Sequence, residues 1–229
     1  MLTALAITVN WGLYIWAINQ GRTLEASLGY YINPLVSITL GLLFFRERLR
    51  VLQWVAVIIA SAGVIILTTL SGSLPWVSLL LALSFGFYGL LKKKLPLSAL
   101  ESLGAETLAS APIGIMLLCV SFVSSDGGAL QPVFTGLKGL AYLGDLPLYT
   151  LAVLALVGVV SAFPLYCFAN GAKLLPLSAV GFIQFISPTV NFFLALFVFG
   201  EQFPPHYFVA FIFIWTAVVI YIVSLRSKR

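Results

Sequence analysis

Charge is what this sequence of 229 residues has least of: seven Asp and Glu, twelve Lys and Arg and a single histidine, with DEKR at 8%. A soluble domain carries roughly 25% charged residues. So few charges cannot coat a water-soluble globule of this length, which excludes soluble enzymes, nucleic-acid binders and disordered chains. The net charge of +5 then reads as loop charge beside a bilayer, and no nucleic-acid partner is expected. The lone His206 follows Pro204-Pro205 in a connector, so serine chemistry lacks a positioned base. Asp126 and Asp145 share one connector and supply no facing acid pair for an intramembrane aspartyl enzyme. Cys119 and Cys167 lie in apolar runs as small packing residues, giving neither a disulfide framework nor a metal site. No Walker-type glycine loop and no Thr-Val-Gly-Tyr-Gly filter are present, which removes nucleotide-driven pumps and potassium-type channels. No cofactor and no metal are expected.

What is present is apolar length. Residues of the AVILMFWYC set make up 61% of the chain, and a bilayer core needs about 20 apolar residues per helix. Eight segments meet that length: 2–19, 27–45, 51–70, 74–91, 98–122, 147–168, 177–199 and 207–225. No alternating ten-residue pattern marks a barrel strand, so the fold class is all-α and polytopic, with the lipid bilayer as its partner. Ser98 and Ser178, each in a Pro-Leu-Ser sequence, are expected to cap helix starts. The connector 123–146 is the long one and has room for an interfacial turn near Phe134–Leu143. Met1 stands directly at an apolar span without a basic region before it, which reads as a span rather than a signal peptide.

With eight crossings the loop cations divide unevenly. One side collects Arg46, Arg48, Arg50, Lys92, Lys93, Lys94, Lys173, Arg226, Lys228 and Arg229, and the other Arg22 and Lys138. By the positive-inside rule both termini are cytoplasmic.

The second and seventh spans repeat each other. At an offset of 154, Pro34 meets Pro188, Glu47 meets Glu201, Tyr30 meets Gln184, Asn33 meets Ser187, Ser37 meets Asn191 and Gly41 meets Ala195. Steps of three and four put each set on one helical face. The loop charges make these two spans run in opposite directions, so the repeat is inverted. Three spans in residues 1–70 and five in 71–229 imply five per repeat with two helices lacking before Met1. Inverted repeats belong to secondary transporters, whose substrate site lies near the midplane between the copies. The function expected is alternating-access transport of a small organic metabolite or drug. The rivals are a transport-inactive shortened chain or partner subunit and, less favoured, a channel or an intramembrane enzyme.

Three stretches carry a family resemblance: Asn10-Trp-Gly-Leu-Tyr-Ile-Trp-Ala-Ile-Asn19, Leu24-Glu-Ala-Ser-Leu-Gly-Tyr-Tyr-Ile-Asn-Pro-Leu-Val36 and Ser84-Phe-Gly-Phe-Tyr-Gly89. They resemble the RarD branch of EamA-type transporters in the drug/metabolite transporter superfamily. The resemblance implies an inner-membrane permease or exporter of ten helices in two inverted five-helix repeats. By that pattern 1–70 is the remainder of the first repeat and 71–229 the second.

Inside the spans, polar residues are the candidates for a site. Glu106 stands eight residues into the fifth span, roughly 12 Å along it, where an unpaired carboxylate costs about 3 kcal/mol. Ser102, Glu106, Ala109 and Ile113 share a face, so Glu106 points into the bundle as a proton-coupling or substrate-binding acid, or as a structural one bonded to a neighbouring helix. Asn10, Asn33, Ser37, Gln184, Ser187 and Asn191 either line an uncharged cavity or hydrogen-bond between helices. Trp11, Tyr14, Tyr30, Tyr31 and Tyr88 either stack on cargo or pack. Pro34 and Pro188 kink their helices. Glu47 is expected in a loop salt bridge with Arg46 or Arg48, and Glu25 beside Arg22 at an outer mouth. The spacings Ala56/Ala60 and Ala82/Gly86 suit close helix packing, with a homodimer as the other use of such faces.

Overall fold

The apolar segments fold as helices. A computed structural model describes residues 1–70, 76–123, 147–197 and 205–226, and among these every regular element is an α-helix. They are α1 (Leu2–Asn19), α2 (Thr23–Phe44), α3 (Val51–Leu70), α4 (Trp76–Lys94), α5 (Ala99–Val123), α6 (Leu148–Leu174), α7 (Leu177–Gln184), α8 (Ile186–Phe197) and α9 (Pro205–Arg226). Among the described residues, seven spans are long and apolar enough to cross a membrane, with α7 and the start of α8 together supplying one of them. The remaining expected span is α5, whose 25 residues are long enough to reach across. The chain is an all-α polytopic membrane protein. The Phe134–Leu143 turn, Lys138, Asp126, Asp145, Glu201, Lys228 and Arg229 lie outside the described residues, as do the side chains of Cys119, Ala195 and His206.

Helix ends follow their local chemistry. α1 stops in a Schellman turn: Gly21 takes φ +72°, its N–H donates to the Ile18 carbonyl at 3.1 Å, and the Arg22 N–H donates to that of Ala17 at 2.9 Å. At the start of α5, Ser98 and Glu101 form a reciprocal capping box. The Ser98 N–H donates to Glu101 Oε2 at 2.8 Å and the Glu101 N–H to Ser98 Oγ at 3.2 Å. Ser178 does not repeat that role. Pro176 is the residue before α7, Ser178 lies inside the helix, and the cap arrives from elsewhere in the chain.

Contacts group the helices into two units. Unit 1 comprises Met1–Arg22 and Leu91–Leu174; unit 2 comprises Thr23–Leu90 and Leu175–Arg229. Each unit therefore draws on both of the sequence segments 1–70 and 71–229. In unit 1, α5 packs against α1 and α6. In unit 2, α3 lies along α9, and α2 packs on α7, α3 and α8.

Small residues set the close approaches in unit 2. Ala56, Ala60 and Gly63 put one face of α3 against Ala210, Ile214 and Ala217 of α9, and a Cβ on Gly63 would stand 3.0 Å from the Ala210 carbonyl. Gly181 brings α7 so near α2 that a Cβ there would meet the Pro34 carbonyl at 2.7 Å. Gly86 lies against Val36, and Ala82 is wholly buried. With lipid as apolar as the side chains, such packing rather than water exclusion holds the helices together. The Ala56/Ala60 and Ala82/Gly86 faces are thus spent within the unit. Cys167 departs from expectation: it is exposed on α6 rather than packed.

Pro34 and Pro188 behave differently. Pro34 sits inside a continuous α2. Pro188 ends α7 four residues earlier, because it has no N–H for the Gln184 carbonyl and its ring crowds that group. The chain turns at Phe185, whose N–H donates to the Phe182 carbonyl at 3.3 Å, and resumes as α8 at Ile186. The Tyr31 hydroxyl donates to the Pro188 carbonyl at 3.3 Å, fixing the start of α8.

Candidate functional site

Unit 1 contains a cavity of about 690 Å³ between α1 and α5. From α1 come Ile7, Thr8, Trp11, Gly12 and Ile15; from α5 come Leu103, Glu106, Thr107, Ser110, Ala111, Ile113 and Gly114, and Leu165 of α6 closes the wall. The lining is mostly apolar. Thr8 and Ser110 bridge the two helices through their hydroxyl oxygens at 3.2 Å. Trp11 stands half exposed in the wall.

Glu106 is the ionisable group in that lining, and it is 6% exposed. Its partner comes from the end of α4: Lys92 Nζ lies 2.8 Å from Glu106 Oε1. Lys92 is itself completely buried and donates to Ser102 Oγ at 2.6 Å, while Ser102 Oγ donates to Glu106 Oε1 at 3.4 Å. The capping box that starts α5 sets the helical register, so Ser102 and Glu106, one turn apart, face the lysine together. Lys92 is therefore not the loop cation that the sequence suggests. A carboxylate and an ammonium taken out of water need each other, since the penalty for each alone is several kcal/mol.

A second polar group lies within unit 2. Asn33 Nδ2 and Ser37 Oγ both donate to Gln184 Oε1, each at 3.2 Å. Gln184 is the last residue of α7, where the Pro188 break falls. Asn33 Oδ1 and Gln184 Nε2 are buried without a hydrogen-bond partner among the described residues, so an acceptor and a donor remain open side by side. Ser187 and Asn191 stand exposed on α8 rather than joining these amides, because the turn at Phe185 separates their helix from α7.

The other expected site residues are dispersed. Asn10 and Tyr14 are half buried on α1 outside the cavity lining, and Tyr30 is 40% exposed on α2. Tyr88 is wholly enclosed, its ring 5.7 Å from that of Phe85; it packs and cannot reach a cargo. Tyr31 is buried beside Phe211. Glu25 lies in the first turn of α2, where its carbonyl accepts from the Ser78 hydroxyl.

Among the described residues Glu47 makes no ion pair with Arg46 or Arg48. Arg46 adopts φ +51° and turns the chain back beyond α2, with the Glu47 N–H reaching the Gly41 carbonyl at 3.3 Å. The Glu47 carboxylate then accepts from the N–H groups of Leu177 (2.6 Å) and Ser178 (3.0 Å), capping α7. A carboxylate at a helix N-terminus satisfies orphan donors and the helix dipole together. Gly41 leaves room for it, since a Cβ there would lie 2.8 Å from Glu47 Oε2. Lys92, Ser102, Thr8, Thr107 and Ser110 belong to the site although sequence pattern alone does not single them out as cavity groups. Among the described residues no cluster of His, Cys, Asp and Glu fits a metal ion.

Comparison with known proteins agrees with this architecture. The EamA-like transporter family matches residues 1–69. The uncharacterized transporter YojE of Bacillus subtilis is 46% identical over 229 residues, which is 100% of this chain and 72% of that protein. Protein RarD of Escherichia coli is 40% identical over 223 residues, covering 97% and 71% respectively. The chloramphenicol-sensitive protein RarD of Pseudomonas aeruginosa is 32% identical over 219 residues, covering 96% and 68%. No solved structure matches. With identity of this order across nearly all of this chain and more than two thirds of each relative, the chain belongs to the RarD-like branch of the EamA-like transporter family, within the drug/metabolite transporters.

Proposed function

We propose that the chain is a secondary-active permease or exporter that moves a small organic metabolite or drug by alternating access, with both termini on the cytoplasmic side of the inner membrane. The α1/α5 cavity carries this reading. At about 690 Å³ it falls within the roughly 300–1,000 Å³ of small-molecule sites, and it has their usual make-up of an apolar wall with a few convergent polar groups. The Trp11 ring and the aliphatic lining take the body of the cargo, while Thr8, Thr107 and Ser110 offer hydroxyls to its polar edge.

Glu106 is the coupling group. Its carboxylate is held by Lys92, and it becomes available to a new partner only when a conformational change or an incoming cargo loosens that ion pair. The break between α7 and α8 supplies a point where one helix half moves against the other, and the open Asn33 and Gln184 amide atoms favour a wet seam there. The orientation rests on loop charge; with Lys92 buried, nine cations still stand against Arg22 and Lys138.

The test is flux in proteoliposomes made with the purified chain and an imposed pH gradient. Chloramphenicol is the first compound to try, because one relative is named for sensitivity to it. Gradient-dependent uptake or efflux is expected, falling about tenfold in Trp11→Ala, a loss of roughly 1.4 kcal/mol of binding. Flux no greater than in empty liposomes across a broad panel of small molecules refutes the transporter reading. Unchanged flux in Trp11→Ala moves the cargo out of this cavity.

A further inference from the structure

We propose that unit 2 carries a separate binding site for an amphipathic, phosphate-bearing anion, formed by Arg48, Arg50 and Gln53 around a cavity of about 510 Å³. The cavity is lined only from residues 47–53, 175–179 and 221–225. These lie just beyond the end of α2, at the start of α3, at the start of α7 and in the last turns of α9. Four span ends therefore meet at one end of unit 2, where the apolar segments stop rather than at their middles.

The charge of this cavity is positive. Glu47 is the acid in the lining, and both its oxygens are engaged by the N–H groups of Leu177 and Ser178. Its charge is thereby matched by the α7 N-terminus. Arg48 and Arg50 are exposed, and neither guanidinium is paired among the described residues. The Arg50 N–H donates to Gln53 Oε1 at 2.9 Å, which fixes that amide and leaves its NH₂ as a further donor. The lining also holds apolar side chains, Leu49, Leu175, Ala179 and Leu225, with Ser178, Tyr221 and Ser224 among them.

Guanidinium groups bind phosphate bidentately. Two of them beside apolar side chains where the spans end match a phosphodiester that carries an acyl chain, as basic pockets between membrane helices do. A soluble organic phosphate offers the same chemistry from the aqueous side. This site shares no residue with the α1/α5 cavity and stands independently of the cargo reading.

The full chain, purified in neutral detergent, is titrated with phosphatidylglycerol or phosphatidylcholine and the bound lipid counted by native mass spectrometry. The expected result is preferential retention of phosphatidylglycerol, weakened about tenfold in Arg48→Gln/Arg50→Gln and less in Arg48→Lys/Arg50→Lys. Lys94→Gln, in the other unit, leaves it unchanged. Competition by 10 mM glycerol phosphate assigns the site to a soluble anion, and indifference to it assigns the site to lipid. Equal binding of the two lipids by the natural chain overturns the proposal. So does equal phosphatidylglycerol binding by the natural and Arg→Gln chains, provided the variant unfolds at the same temperature.

Discussion

The Lys92–Glu106 pair permits a quantitative test that separates architecture from transport. At 2.8 Å and an effective dielectric constant near 20, two unit charges attract by about 6 kcal/mol. Most of that is offset by taking both groups out of water, so the pair adds little net stability. Loss of one partner, however, strands the other charge and costs about 3–5 kcal/mol. Glu106→Gln leaves a wholly buried ammonium facing an amide; Lys92→Met leaves a buried carboxylate without its ammonium, the Ser102 hydroxyl still beside it. Each single variant is expected to lower the unfolding temperature by on the order of 10 °C. The double variant Lys92→Met/Glu106→Gln removes both charges and is expected to recover most of that loss. Thermal unfolding in detergent, followed by tryptophan fluorescence, gives the four corners of the cycle. Simple additivity, with the double variant losing the sum of the two single losses, refutes mutual neutralisation. The same four proteins in liposomes address mechanism. A double variant that is stable yet has lost gradient-driven flux marks Glu106 as a working acid, whereas full flux makes the pair purely structural.

Other outcomes follow from the same geometry. A Cβ on Gly12 would meet nothing within 4 Å, so Gly12→Leu should leave the unfolding temperature within a few degrees while filling the α1/α5 cavity and reducing cargo binding, read by quenching of Trp11. Gly181→Ala, by contrast, drives a methyl group to 2.7 Å from the Pro34 carbonyl and should cost about 1–3 kcal/mol, seen as a lower unfolding temperature without a change in cavity binding. Glu47→Ala removes a charged acceptor from two N–H groups and should cost about 1.5–3 kcal/mol, with faster hydrogen exchange at Leu177 and Ser178 as its local mark. Pro188→Ala restores the missing N–H and should slow exchange around the α7–α8 turn; if that turn moves during the cycle, flux falls while stability rises.

The spans were legible because bilayer thickness dictates apolar length, and α1 and α3 begin and end at the residues that rule assigns. α6 runs on to Leu174, past the expected residue 168, because nothing breaks the helix before Pro176. The turn at Phe185 was displaced from its visible cause: a proline forfeits a bond four residues back, so Pro188 marks the break from a distance. Of the site, Glu106 could be read as a costly charge within a span, and Trp11 only as one of several aromatics that either stack on cargo or pack. Lys92 could not be separated from Lys93 and Lys94 as loop charge, although it continues the buried stripe of Ser78, Leu81 and Tyr88 along α4. Its pairing with Glu106 joins two helices, and no helical period within either one encodes that. The role of Glu47 was hidden for the same reason, since its partners are backbone groups that sequence does not distinguish.

The Glu47 cap spans 130 residues of chain, and the Asn33–Gln184 bond spans 151. At roughly 5–20 residues per second, a ribosome that has finished α2 needs about 7–30 s to deliver α7. α3 waits longer still for α9. During translation the early helices of unit 2 must therefore sit in lipid or in the insertion machinery with their small-residue faces and the Glu47 carboxylate unserved. Nascent chains stalled before Pro205 should be held as unpacked helices, open to chaperones and membrane proteases, and only release of the last segment lets that half of the molecule close.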